Sequence, residues 1–231
     1  MVNLAIIGLG RWGRVLVDAV QGKTDLVQFT NAVTRTPSKV EDYCKANSIN
    51  LTSDYSAILS DPKIDGVVLA TPHSQHEQQI IDAVRARKHV FCEKPVTLTR
   101  KSIDKAMAEV EKSDVIFAAG HNRRFLPALK HLNSLIRDGD LGRILHIEGN
   151  MSGHVGSRYT NDMWRVDPNE SPAGGMAGSG IHVIDAMIYL LGPIKEVSAQ
   201  SFRLVNEINL DDTTNMLFRF ENGKTGYLVA L

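Results

Sequence analysis

The chain of 231 residues sets 26 basic against 26 acidic side chains, so it carries no overall field to attract nucleic acid or an anionic membrane. Its 43% hydrophobic and 23% charged residues suit one large globular domain or two small ones. No apolar run approaches the roughly 18 residues of a membrane span, and the two cysteines, Cys44 and Cys92, lack metal-ligand spacing. They read as reduced thiols of a cytoplasmic protein with no metal site.

The opening "MVNLAIIGLG" has no basic segment ahead of its apolar run and reads as a first strand, not a leader. A helix is expected over 11–20, a second strand over 26–33, and a helix opened by Pro37 that reaches about residue 46. A short extended piece near Leu51 and a helix over 55–59 follow. "IDGVVLA" (64–70) is almost continuously apolar, as a strand covered on both faces would be. A helix over 74–87, the strand "HVFC", a helix over 101–112 and the strand "VIFAAG" complete the alternation. Strands alternating with helices predict a doubly wound parallel sheet, an α/β Rossmann domain over residues 1–121.

The rhythm then changes. A helix over 126–137, the stretch "RILHIEGNM", a polar and glycine-rich loop and an apolar helix over 181–191 precede three long strands. The "NG" of "ENGK" signals a hairpin between the last two. Residues 122–231 are therefore expected to form an α+β domain with a largely antiparallel open sheet. The final "GYLVAL" is expected at an unprotected edge, covered by a partner subunit or by chain beyond Leu231, as in a truncated domain.

Chemistry concentrates at the strand ends. "GLGRWG" places Gly8, Gly10 and Gly13, with Arg11 and Trp12 between them, between a strand and a helix. That context marks a dinucleotide phosphate loop. After the second strand stand Thr34 and Arg35 rather than an acid. A hydroxyl and a guanidinium suit a 2′-phosphate, which favours NADP over NAD; a solvated surface arginine is the alternative. "HVFCEKP" ends a buried run in Glu93, Lys94 and Pro95. By pattern alone Lys94 is as readily a strand end reaching water as a deliberately placed charge.

With "GLGRWG", "ATPHSQH", "EKP" and "NRRFLP" in that order, the chain resembles the Gfo/Idh/MocA oxidoreductases along essentially its whole length. The resemblance implies that Lys94 is the catalytic lysine, hydrogen-bonded to the substrate hydroxyl, next to a Pro95 peptide that is a candidate for the cis form. It implies that Thr71, Pro72 and Glu93 line the cofactor and that His76 caps or packs beneath it. Similar proteins carry a Trp-Arg pair, a glycine-rich turn, and a helix with an aspartate four residues before a histidine. Trp164, Arg165 and His182 match, with Asp185 one turn later, but Gly178 stands where many relatives have aspartate. Without the resemblance His182 would read as packing on an apolar helix; with it, His182 is a second catalytic residue. Arg123, Trp164, Arg165 and Asp185 are then expected to line the substrate, with Arg124 a further lining candidate; the arginines either bind a carboxylate or polyol or pair across the domain junction. The activity implied is hydride transfer between a nicotinamide and a secondary alcohol or ketone of a sugar or cyclitol. The protein would be a homodimer or homotetramer built on its second sheet. A glycosidase that cycles its cofactor and a non-catalytic nucleotide sensor are the competing readings.

Overall fold

The structure, a computed structural model, describes residues 1–153 and 159–231. It divides into two compact units, Met1–Gly120 and His121–Leu231.

In the first unit β1 (Val2–Ile7), β2 (Val27–Val33), β3 (Asn50–Thr52), β4 (Gly66–Leu69), β5 (His89–Cys92) and β6 (Phe117–Ala119) form one sheet. Its order is β3-β2-β1-β4-β5-β6, with every pairing parallel. The two-residue period of a strand, with both faces of the sheet covered, explains why β4 and the end of β1 (Leu4–Ile7) are continuously apolar. Ala5, Ile7, Val67 and Leu69 enter one core with Ile58, Ile80, Ile81, Val84 and Ala106. Ile6 and Val68 enter the other, with Val17, Phe29 and Cys44. Helices α3 (Tyr55–Ser60), α4 (His76–Arg85) and α5 (Arg100–Val110) thus cover one face, and α1 (Arg11–Val20) and α2 (Glu41–Ala46) the other. The single helix expected from Pro37 to residue 46 is broken. A 3-10 turn, Pro37–Lys39, is separated from α2 by Val40, whose φ of −133° lies outside the helical range and whose side chain is buried. Burial of Val40 overrides local helix propensity. The helix expected from residue 74 likewise opens as a 3-10 turn, His73–Gln75, before α4.

In the second unit α6 (Pro127–Asp138), β7 (His146–Asn150), α7 (Ile181–Leu191), β8 (Ile194–Phe202), β9 (Thr213–Phe220) and β10 (Thr225–Ala230) follow in order. The sheet runs β7-β10-β9-β8. Pairings of β10 with β9 and of β8 with β9 are antiparallel, and that of β10 with β7 is parallel. The expected hairpin forms, with Gly223 at φ +82° in its turn. The expected exposed edge does not: β10 lies inside the sheet between β7 and β9, with Leu228 0% and Ala230 2% exposed. A strand this apolar takes the central place because both of its ladders and one face are then satisfied. Phe218, Phe220 and Leu228 pack with Met187 and Leu191 of α7. Gly149 lets α7 approach β7, since a Cβ there would stand 2.6 Å from the side chains of Met187 and Val183.

Among the described residues no helix is long and apolar enough to cross a membrane.

Candidate active site

The carboxyl edge of the first sheet is held in register by hydrogen bonds from the residue that follows each strand. Gly8 N–H donates to the Val33 carbonyl (2.9 Å), Ala70 N–H to Ile7 (2.8 Å), Glu93 N–H to Leu69 (2.9 Å), Gly120 N–H to Cys92 (2.7 Å) and Thr34 N–H to Thr52 (3.2 Å). The loops that carry Gly8, Thr34, Thr71 and Lys94 therefore leave one rigid edge side by side. The switch in strand order falls between β1 and β4, where open α/β sheets bind ligands.

The glycine loop fits a dinucleotide phosphate on its own geometry. Gly8 has φ +97°, and a Cβ there would stand 2.6 Å from the Ala70 carbonyl oxygen, so β1 and β4 close tightly at the switch point. A Cβ at Gly13 would stand 2.2 Å from the Gly8 carbonyl oxygen, so α1 packs directly on the loop. Gly10 is the opposite case, since a Cβ there would meet no atom within 4 Å. It is the N-cap of α1 and makes no side-chain cap, which leaves the first-turn N–H groups and the positive end of the helix dipole for an anion. Arg11 is exposed beside it and Trp12 half-buried. Thr34 and the exposed Arg35 leave β2 at the same edge.

Lys94 is half-buried on the turn after β5, and the Lys94–Pro95 peptide is cis. Glu93 is 7% exposed, and one of its carboxylate oxygens accepts from the Lys94 N–H (3.3 Å). Gly120 gives that carboxylate room, because a Cβ there would stand 3.0 Å from Glu93 Oε1. His76 is wholly buried, with Nδ1 3.0 Å from the Pro95 carbonyl oxygen and Nε2 3.1 Å from that of Thr71. The Thr71 hydroxyl donates to Gln79 Oε1 at 2.6 Å, a partner no motif pointed to. Pro72 caps the 3-10 turn that leads into α4. Cys44 and Cys92 are free and buried, and burial pushes both thiols up, which removes them as nucleophiles.

The second unit brings a separate set together. Asp185, 8% exposed on α7, is held by Arg124: Nε donates to both carboxylate oxygens (2.9 and 2.8 Å) and Nη2 to one (2.7 Å). These bonds raise the Arg124 guanidinium above its usual range, and Tyr189 lies beneath it at 5.5 Å. His121 Nδ1 is 3.9 Å from Asp185 Oδ1, and its ring meets that of His182 edge to face at 6.2 Å. His121 escaped sequence reading because nothing in its local pattern distinguishes it from a loop histidine. Arg123 Nη1 lies 4.0 Å from Met151 Sδ. Trp164 and Arg165 lie on a 3-10 turn, with the guanidinium 4.1 Å from the indole centroid. The glycine-rich turn before α7 is itself helical, a π turn over Met176–Gly180. The four-residue spacing from Gly178 to His182 thus crosses from the π turn into α7. A Cβ at Gly178 would meet nothing within 4 Å. No His, Cys, Asp or Glu cluster among the described residues could hold a metal ion.

Residues 2–121 match the model of an oxidoreductase family with an NAD-binding Rossmann fold, and residues 129–230 match the GFO/IDH/MocA C-terminal domain. The chain belongs to this family. A curated member, myo-inositol 2-dehydrogenase of Thermotoga maritima, is 28% identical over 239 residues, covering 98% of this chain and 67% of its own. A Desulfitobacterium hafniense protein described as an NADPH-dependent oxidoreductase superposes with a TM-score of 0.93 at 28% identity, over 99% of this chain and 66% of its own. Levoglucosan dehydrogenase in complex with NADH superposes with a TM-score of 0.88 at 26% identity, over 99% of this chain and 66% of its own. This Gfo/Idh/MocA chain spans 61 to 67% of the length of three curated relatives.

Proposed function

We infer that the protein is an NADP-preferring dehydrogenase or reductase acting on a secondary alcohol, or the matching ketone, of a sugar or cyclitol. The observation that carries this reading is the placement of Lys94 on the same rigid carboxyl edge as the glycine cradle. The nicotinamide, when bound, supplies the hydride chemistry. Gly8, Gly10 and Gly13 hold the pyrophosphate against the N-terminus of α1, flanked by Arg11 and Trp12. Thr34 and Arg35 read the 2′-phosphate, with NAD as the alternative cofactor. Thr71, Pro72, His76 and Glu93 shape the cofactor side of the site. Lys94 donates to the substrate hydroxyl and favours the negative charge that develops on its oxygen. His182 takes the hydroxyl proton as general base, since imidazole titrates near working pH. Arg123, Trp164, Arg165 and Asp185 are assigned to the substrate side. Arg124 holds Asp185 in place. The substrate class rests on the names of relatives, an inositol and a levoglucosan dehydrogenase. The sheet face away from α7, which carries the exposed Leu217 and the ion pair of Arg219 with Glu196, is assigned to a homodimer or homotetramer contact.

The test is Lys94→Ala. NADPH affinity, followed by nicotinamide fluorescence, is expected to stay near its native value. Turnover on a panel including myo-inositol and levoglucosan is expected to fall by roughly 10²- to 10⁴-fold, the range for loss of a proton-handling group. Unchanged turnover would remove Lys94 from the chemistry.

A further inference from the structure

A neutral imidazole presents one N–H donor and one bare nitrogen. His76 faces two acceptors, the carbonyl oxygens of Pro95 and Thr71, at 3.0 and 3.1 Å, and it is wholly buried. A neutral ring would set its bare nitrogen against one of those oxygens. Only the imidazolium donates to both, and charge-assisted bonds are the stronger kind. The two carbonyls belong to different loops. Thr71 follows β4, and Pro95 is the residue after Lys94, so the ring joins the loop after β4 to the turn that carries Lys94.

We propose that His76 is a positioning residue for Lys94: as an imidazolium donating to both carbonyls, it bolts the Lys94 turn to the loop after β4 and so sets where the ammonium stands. The proposal rests on the reading of Lys94 given above. The titratable and charged groups on the elements packed around His76 carry both signs. On its own side are His73, whose ring meets that of His76 edge to face at 5.9 Å, and Glu77, which is paired with Lys105 of α5. α4 also carries Asp82, which accepts from Gln78. On α3 is Tyr55, whose hydroxyl donates to the Gln79 carbonyl. On β5 and its turn are Cys92, Lys94 and Glu93, the last a buried acid two residues before Pro95.

The first measurement is the nitrogen NMR spectrum of the whole chain labelled with ¹⁵N-histidine, with His76 assigned by the signals that vanish in His76→Gln. Both His76 nitrogens are expected to remain protonated at about pH 8, where an unperturbed imidazole is neutral. A single neutral tautomer there overturns the proposal. The second is peptide mapping of Lys94 acylation by N-hydroxysuccinimide acetate, with the exposed Lys195 as internal reference. In His76→Phe, which keeps a ring and loses both donors, the relative labelling rate of Lys94 is expected to change by roughly tenfold, as a displaced or differently solvated amine requires. An unchanged rate overturns the positioning role, whatever happens to stability. Should His76→Phe fail to fold, His76→Gln, which keeps one donor group, is read in the same way, with a smaller change expected and no change again decisive. Turnover is then compared with Lys94→Ala. Native turnover in Lys94→Ala would sink the role of Lys94 and leave the His76 spectrum standing. Native kcat in His76→Phe beside an inactive Lys94→Ala would sink His76 alone.

Discussion

Replacing Gly10 by aspartate separates binding from folding in the glycine loop. The residue is an N-cap with φ −77° and ψ −165°, and a side chain there enters open space. Aspartate is among the preferred N-caps, so the folded state should gain about 0.3 kcal/mol over glycine, and the dipole of α1 adds a similar amount. The thermal midpoint of the cofactor-free protein should therefore stay level or rise by about 1–2 °C. Binding should move the other way. A carboxylate about 4 Å from a phosphate oxygen is repelled by about 4 kcal/mol per pair of unit charges at an effective dielectric constant of about 20. Half of that repulsion already weakens affinity roughly 30-fold. Gly13→Ala supplies the contrast. Its Cβ would sit 2.2 Å from a backbone oxygen, so the helix must shift by about 1 Å at an overpacking cost of about 1–3 kcal/mol. Midpoint and affinity should then fall together. Differential scanning fluorimetry and NADPH fluorescence titration read both variants. Native NADPH affinity in a well-folded Gly10→Asp would refute the phosphate cradle.

Arg35→Ala should weaken NADPH binding by about tenfold, or 1.4 kcal/mol, and leave NADH binding unchanged. Equal losses for the two would show that Arg35 does not read the 2′-phosphate. Asp212 organises the β8–β9 connection: partial burial pushes its carboxyl up, but the N–H groups of Asn206, Leu204 and Val205 outweigh this and bring it from 3.8 to about 2. A depressed carboxyl stabilises the fold fully above 3.8, and that contribution drains away as pH falls toward about 2. Amide chemical shifts of residues 204–206 should titrate in that acid window, and Asp212→Asn should abolish the titration. Leu228→Ala, at a position 0% exposed in the core of the second unit, should cost about 2–5 kcal/mol in urea unfolding. A cost below about 1 kcal/mol would mean that β10 is not central to that core.

Much of the fold was legible residue by residue. β1, α1, β5, α7 and β9 run over the spans their patterns suggest, because apolar period and glycine punctuation act within a few residues. Val40 and the π turn at Met176–Gly180 were not legible, since each answers to packing that local propensity does not contain. In the candidate site, the sequence pattern put Gly8 and Lys94 just after the ends of strands, where the structure has them after β1 and β5. The partners of His76 and Asp185 were not legible. Pro95 is 19 residues from His76, and Arg124 is 61 from Asp185.

The sequence by itself determined the succession of strands and helices and which chemical groups stand at the strand ends, because both follow from short-range sterics and from the burial of every second residue. Only the tertiary structure decided that the last strand lies inside its sheet, that Arg124 holds Asp185, and which carbonyls the His76 ring faces. Those outcomes depend on strand register and on contacts between residues far apart in the chain, and no local run of side chains specifies them.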